Sequence, residues 1–205
     1  MVDVGALLAA PCLGCLLRLV RKGENPKMRH TLLVAVLVCL TSGAALGQRT
    51  PPVVDAHALL STDAAHPGSA VKAAVEARIA PGYHINDHHP SLDYLIPTEL
   101  KLEPTKQVEI EKVVYPKGEA KKFAFADAPL SVYEGTLVVG AKLKVAPTVP
   151  PGSYALKGKL TYQACNDHAC LPPASVPVAL ALKVVDKRIP LKRVNADVFG
   201  KIAPY

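Results

Sequence analysis

Residues 153–164 read SYALKGKLTYQA, with Tyr154, Leu156, Gly158, Leu160 and Tyr162 at alternate positions. Successive side chains of a strand point to opposite faces, so this period of two predicts a strand with one apolar and one wet face. The same signature recurs on either side. The stretch 70–79, AVKAAVEARI, alternates small or apolar residues with charged ones, Pro81-Gly82 makes a turn, and 83–86 continues as a short strand. Residues 98–102 and 108–114 alternate clearly, and 130–145 is a long strand-rich stretch interrupted by Gly135 and Gly140. Pro150-Pro151-Gly152 is a turn, and 176–185 is the last strand. No segment sustains the 3.6-residue apolar period of a helix. Seven to nine short strands in about 135 residues predict an all-β fold, an immunoglobulin-like antiparallel β-sandwich. The sandwich occupies 55–185, residues 48–54 read as a linker, and 186–205 form a basic, irregular tail to which the pattern assigns no fold.

Composition agrees with short strands and frequent turns. Half of the 205 residues are hydrophobic, yet there is no Trp and only three Phe, so Val, Ala and Leu must fill the core. Nineteen Pro and thirteen Gly are scattered rather than gathered in one tract, which places turns throughout the chain. This much aliphatic material excludes a disordered composition. The formal charge is +7, and five Lys or Arg lie within the first 47 residues. The remaining 19 basic and 15 acidic side chains leave +4, with no basic cluster interleaved with aromatics, so nucleic acid is not an expected partner. No nucleophile motif, paired-carboxylate arrangement or Gly-rich phosphate loop stands out.

The N-terminal region reads as a targeting segment. From Met28 the chain runs MRHTLLVAVLVCLTSGAALGQ. A short charged start, an apolar core and the small residues Ala45 and Gly47 match a secretory signal, with cleavage before Gln48. The apolar core is short for a membrane span. Residues 1–27 precede this signal awkwardly, and Met1 and Met28 are the two methionines. The reading adopted is a signal peptide at 28–47 behind an over-long gene start at 1–27; the alternative makes the apolar run 4–20 a membrane anchor. Cys39 follows Val38, where a lipoprotein signal needs a small residue, and Cys12-x-x-Cys15 lies in an apolar run with no strand before it. Export therefore leaves Cys165 and Cys170 as the thiols of the mature chain, and an even count in an oxidising compartment suggests a disulfide.

Those cysteines sit in YQACNDHACLPP, residues 162–173, between two strands. Asn166 and Asp167 are turn formers that let the loop fold back. Pro172 and Pro173 cannot donate backbone hydrogen bonds and end the loop stiffly. A ring of this size stabilises a fold by only about 2 kcal/mol in the chain-entropy model, against nearly 5 for a long loop. A staple would gain more by joining distant strands, so both a redox pair and a structural disulfide stay open. His168 lies between the cysteines, where an imidazolium would lower a thiol pKa; Asp167 beside it would oppose that effect, and a solvated loop residue is the plainer reading.

This segment resembles the N-terminal periplasmic domain of the thiol:disulfide interchange protein DsbD, a family with a Tyr-Gln-x-Cys opening, a short polar loop, a second Cys and then Pro-Pro. Pro81-Gly82-Tyr83-His84-Ile85-Asn86 resembles the family's early Gly-aromatic segment. Tyr115-Pro116-Lys117-Gly118 and Val132-Tyr133-Glu134-Gly135 resemble its middle. The resemblance covers about 55–185 and implies a periplasmic reductant relay that needs no cofactor and acts as a monomer. A membrane thiol reductase would supply electrons. Thioredoxin-like and disulfide-isomerase proteins, including those of cytochrome c maturation, would exchange with the pair. By the same resemblance Cys170 forms the intermolecular mixed disulfide and Cys165 resolves it. A loop aromatic caps the cysteines in that family, and Phe125 in FAFADAP, residues 123–129, is its counterpart here; Tyr83 and His84 complete the surroundings. Two departures stand out: four residues separate the cysteines where the best-known member has five, and the chain stops at 205 without a counterpart of DsbD's membrane or thioredoxin-like domains. It is therefore expected to depend on separate partners.

Two rival readings remain. His84, His88 and His89 lie in one short segment, HINDHH, and with the cysteines and His168 they would suit Cu(I) or Zn(II) if the fold brought them together. An interaction domain with a structural disulfide is the other.

Overall fold

The computed structural model describes residues 52–202. The signal segment, the residues before it, Cys12, Cys15 and Cys39 lie outside the described residues, as do 48–51 and 203–205. In chain order the elements are β1 (Val54–Leu60), β2 (Ala70–Ile79), β3 (His84–Asn86), β4 (Glu99–Leu102), β5 (Val108–Val114) and β6 (Glu119–Lys121). They continue with β7 (Leu130–Tyr133), β8 (Thr136–Val145), β9 (Gly152–Tyr162), β10 (Ala164–Cys165), β11 (Ala174–Val184) and a short helix α1 (Ala196–Phe199). The fold is an immunoglobulin-like antiparallel β-sandwich, as the alternating pattern predicts. One sheet has the order β1-β2-β8-β5, the facing sheet β11-β9-β4, and a small third sheet β10-β3-β7-β6.

The stretch that decides the fold is β9. It pairs with β11 along its whole length, Leu156 opposite Leu180 and Leu160 opposite Val176. Leu156, Leu160 and Tyr162 are buried while Lys157 between them is exposed. Leu160 and Tyr162 pack with Val178 of β11 against Val75, Ala77 and Ile79 of β2 and Leu137 and Val139 of β8; Leu156 packs with Leu180 and Leu182 of β11 against Val71 and Ala73 of β2 and Ala141 and Leu143 of β8. Burying one such Leu fully is worth about 1.5–3 kcal/mol. At Gly158 the apolar face carries no side chain because β4 passes there. A Cβ at this position would stand 2.5 Å from the Lys101 carbonyl oxygen and 3.0 Å from the Leu102 Cα. Glycine therefore permits the β4–β9 pairing, in which Leu102 lies opposite Gly158.

Differences from the sequence pattern are local. The stretch 130–145 breaks once, between β7 and β8, and Gly140 lies inside β8 opposite Ala74. Alternation alone does not distinguish β1 and β6 from their surroundings. The segment after β11 docks back on the first sheet. The backbones of Asp63 and Lys192 bond at 3.0 Å, Val194 N–H donates to the Ser61 carbonyl at 3.0 Å, and the Asn195 amide donates to the Leu60 carbonyl at 2.9 Å. Val198 of α1 then packs on Ala74 and Val138, on the outer face of β2 and β8. That is why β2 is buried on both faces. Among the described residues no helix is long and apolar enough to cross a membrane.

Candidate functional site

The β9–β11 hairpin ends at the Tyr162–Ala174 pair, and residues 163–173 form its tip. Asn166 organises the reversal. Its Oδ1 accepts hydrogen bonds from the backbone N–H of His168 and Ala169, both at 2.9 Å, and its own N–H donates to the Ala169 carbonyl at 3.0 Å. An Asx turn of this kind substitutes for a backbone turn. It brings Cys165 and Cys170 opposite one another, Cα atoms 3.9 Å apart, with their sulfurs joined in a disulfide. The two cysteines differ in access: Cys165 is 1% exposed, whereas Cys170 is exposed, as are Asp167 and His168 beside it.

Cys165 belongs to the small sheet, where it pairs with His84 of β3 and Ala164 pairs with Ile85. Directly opposed residues of an antiparallel pair project to the same side of the sheet. His84 is 2% exposed, its Nε2 has no hydrogen-bond partner, and its ring stacks on Phe123 with centroids 4.1 Å apart. Burial pulls the His84 pKa below its ordinary value; the carboxylates of Glu134 and Asp167 oppose this and the Lys121 ammonium adds to it. The imidazole is accordingly neutral near neutral pH.

The aromatic on His84 is Phe123, which is buried with Leu95, Leu130 and Val132. Phe125, the sequence candidate for a cap, stacks on Phe123 with centroids 5.3 Å apart and is 43% exposed. His84, Phe123 and Phe125 are thus linked by successive ring contacts, with Phe123 buried and Phe125 exposed. Tyr83 is half-buried against the main core, and its N–H closes the Pro81-Gly82 turn on the Ala80 carbonyl at 3.1 Å.

A buried polar network fixes β3. Asp87 follows the strand directly, and its carboxylate accepts hydrogen bonds from Tyr133 Oη at 2.5 Å, Ser131 Oγ at 2.6 Å, Gly118 N–H at 3.2 Å and His89 N–H at 3.4 Å. Gly118 must be glycine for this approach, since a Cβ there would lie 2.7 Å from Asp87 Oδ2. Burial pushes the Asp87 pKa up, but the donors outweigh it and hold the carboxyl below its ordinary range. Tyr133 is held far above its ordinary value, by burial first and by the Asp87 hydrogen bond second. Gln163 couples β3 to the hairpin tip. Its Oε1 accepts from the Asn86 amide at 3.3 Å and the Ile96 N–H at 3.5 Å, and its Nε2 donates to the Leu171 carbonyl at 3.4 Å.

The three histidines of HINDHH do not converge. His84 faces the hairpin tip, whereas the His88 ring stacks on Tyr115 at 3.6 Å and bonds the Thr98 carbonyl through Nδ1 at 2.9 Å. His89 meets the His88 ring edge-on at 4.6 Å. Among the described residues no group of three or more His, Cys, Asp or Glu is placed to hold a metal. The sequence candidates that the structure brings together are Cys165, Cys170 and His84. Sequence reasoning gave no role to Phe123, Asp87 or Gln163, although Gln163 lies inside the Tyr-Gln-x-Cys motif.

A family model described as thiol:disulfide interchange protein DsbD, N-terminal, matches residues 55–181. Among solved structures, the N-terminal periplasmic domain of ScsB from Proteus mirabilis is 18% identical, over 62% of this chain and 44% of that one, with a TM-score of 0.41. This chain therefore spans less than half the length of that relative. A complex between the DsbD N-terminal and PilB N-terminal domains from Neisseria meningitidis contains a chain 23% identical, over 65% of this chain and 88% of that one, with a TM-score of 0.38. The seventh ScaB type I cohesin from Pseudobacteroides cellulosolvens is 14% identical over 68% and 97% of the two chains, with a TM-score of 0.40. No curated protein matches the sequence.

Proposed function

The chain belongs to the family of DsbD N-terminal domains, and from that premise we propose that it relays reducing equivalents in the periplasm through the Cys165–Cys170 pair. It receives them from a membrane or thioredoxin-like donor and passes them to periplasmic disulfide proteins. The observation that carries this reading is the asymmetry of the pair: one sulfur belongs to an exposed residue, the other to a residue that is 1% exposed, and both lie in one short ring. Exchange requires a sulfur that a partner can reach and a neighbour that expels the partner afterwards. A purely structural bridge requires neither.

The roles follow from access. In the reduced protein the Cys170 thiolate attacks one sulfur of a partner disulfide, and the partner's other sulfur leaves as a thiolate. Cys165 then attacks the Cys170 sulfur, the bond to the partner breaks, and the partner departs as a dithiol. Two electrons have passed from the pair to the partner, and the Cys165–Cys170 disulfide has formed. Reduction of this disulfide by a donor runs the same steps backwards. Phe123, stacked on His84 of the strand that faces Cys165, and Phe125, stacked on Phe123, form the aromatic cap of the site. Export by the segment at 28–47 places the pair in a compartment where disulfides persist.

The test is a transfer of thiols. Reduced protein mixed with an equimolar oxidised thioredoxin-like protein is expected to lose two thiols as the acceptor gains two, followed by acid quench, alkylation and mass spectrometry. Thiols that stay on this chain while the same acceptor oxidises a small dithiol would refute the exchange role.

A further inference from the structure

Cys165 presents a chemical difficulty that the exchange reaction must solve. The resolving step needs its thiolate, because the thiolate and not the thiol is the nucleophile. Yet Cys165 is 1% exposed, and burial in apolar surroundings raises a thiol's pKa and keeps bulk water from collecting its proton. A group beside it must take that proton.

The structure offers one at the right register. His84 lies directly opposite Cys165 in the β3–β10 pair, so the two side chains leave the same side of the sheet with Cβ atoms about 4.5–5.5 Å apart. The ring is 2% exposed, and its Nε2 is buried without a hydrogen-bond partner. A buried polar atom left unpaired is destabilising, and a catalytic role is one of the reasons for which a native fold keeps such an atom. Phe123 stacks on the ring and limits its orientation. Asn86, Asp87 and Gln163 hold the strand beneath it through the network described above.

We propose that His84 is the proton acceptor for Cys165 during resolution of the mixed disulfide. The inference rests on the exchange reading. In the step, the Cys165 thiol gives its proton to His84 and its sulfur attacks the Cys170 sulfur. The Sγ–Sγ bond forms as the bond between Cys170 and the partner breaks. The partner's sulfur leaves as a thiolate and takes a proton from water, and the His84 imidazolium returns its proton to solvent. The pair loses two electrons and the partner gains them. The charged groups that act on the ring are Glu134 beyond β7, Asp167 of the hairpin tip and Lys121 of β6; with burial they leave the imidazole's pKa below its ordinary value. The acceptor is thus available at neutral pH and is lost on acidification through that lowered value.

The test starts from a preformed mixed disulfide between Cys170 and glutathione, and follows glutathione release with pH by rapid mixing. In the wild type, release is expected to slow on acidification with a step below the ordinary histidine range. His84→Phe keeps the stack on Phe123 and removes both nitrogens; release about a hundredfold slower at pH 7, with that step absent, is expected. His84→Gln keeps a polar group but cannot titrate and should also lose the step. Release with an unchanged rate and pH profile in either folded variant would overturn the proposal. Should neither variant fold, the wild type suffices: the imidazole 15N shifts of His84 should change when the disulfide is reduced, and unchanged shifts would contradict the inference. Failure of the exchange reading looks different: the wild type would still close its own disulfide and release glutathione, but its reduced form would leave an oxidised thioredoxin-like acceptor unreduced.

Discussion

Replacing Cys165 with Ser is expected to turn the protein into a trap. The exposed Cys170 can still attack a partner disulfide, but no second thiol remains to expel the partner. With an oxidised thioredoxin-like acceptor, a covalent adduct should accumulate to near stoichiometry, and turnover under catalytic conditions should disappear. Cys170→Ser is expected to behave oppositely. Its remaining thiol, Cys165, is 1% exposed, so no adduct should form over the same interval. Non-reducing electrophoresis and intact-mass measurement distinguish the outcomes. The serine change leaves the hairpin intact, because the reversal is held by the Asn166 turn and by the Leu171 N–H bond to the Ala164 carbonyl at 2.8 Å. Equal adduct formation by both variants would mean that access does not divide the roles.

Replacing Asp87 is expected to give the largest loss of stability among single changes near the site. Its carboxylate is 8% exposed and receives four hydrogen bonds. Asp87→Ala leaves the Tyr133 hydroxyl, the Ser131 hydroxyl and the Gly118 N–H facing a hole, which should cost about 3 kcal/mol or more. That is a large share of the 5–15 kcal/mol of a typical domain. Asp87→Asn keeps the shape but loses the charge, and a smaller loss, about 1–3 kcal/mol, is expected. The pH dependence separates the two contributions. The folded carboxyl titrates below its ordinary value of 3.8, so its stabilisation is complete above that value and is lost as pH falls through the folded pKa. Denaturant midpoints measured from pH 7 down to about pH 2 should fall more gently in Asp87→Asn than in the wild type. Parallel acid limbs would show that Asp87 carries no such role. Because Asp87 anchors β3, both variants should also react with partners more slowly than their stability alone explains.

How much of this was visible in the sequence depends on what each residue faces. β9 was legible because one of its faces is core and the other is wet, so burial and alternation coincide. β2 gave the right element but not its surroundings. Ala74 lies on its outer face, where Val198 and Phe199 from the far end of the chain help to bury it. Local periodicity carries no information about such a distant cover. The Asn166 turn followed from residue type, since an Asx side chain caps its own reversal. The aromatic stack on His84 was half legible. Phe123 and Phe125 lie two apart and share a strand-like face, so the sequence could not say which stacks on His84 and which remains at the surface. The histidine cluster suggested coordination, but His88 is occupied by Tyr115 and Thr98, contacts set by packing rather than by spacing. Asp87 was hidden inside the same cluster, because a buried acid is identified by its donors, and these come from Gly118, Ser131 and Tyr133, far along the chain.

On the proposed function, Cys165 and Cys170 form an exchange pair rather than a staple. The most direct measurement is the midpoint potential of this disulfide in glutathione or dithiothreitol buffers, read by alkylation and mass spectrometry. A midpoint within the range of exchange proteins, about −120 to −270 mV, is expected, with a protein that stays folded in both forms. A midpoint below about −300 mV, where structural disulfides of secreted proteins lie, or unfolding on reduction, would show a staple instead.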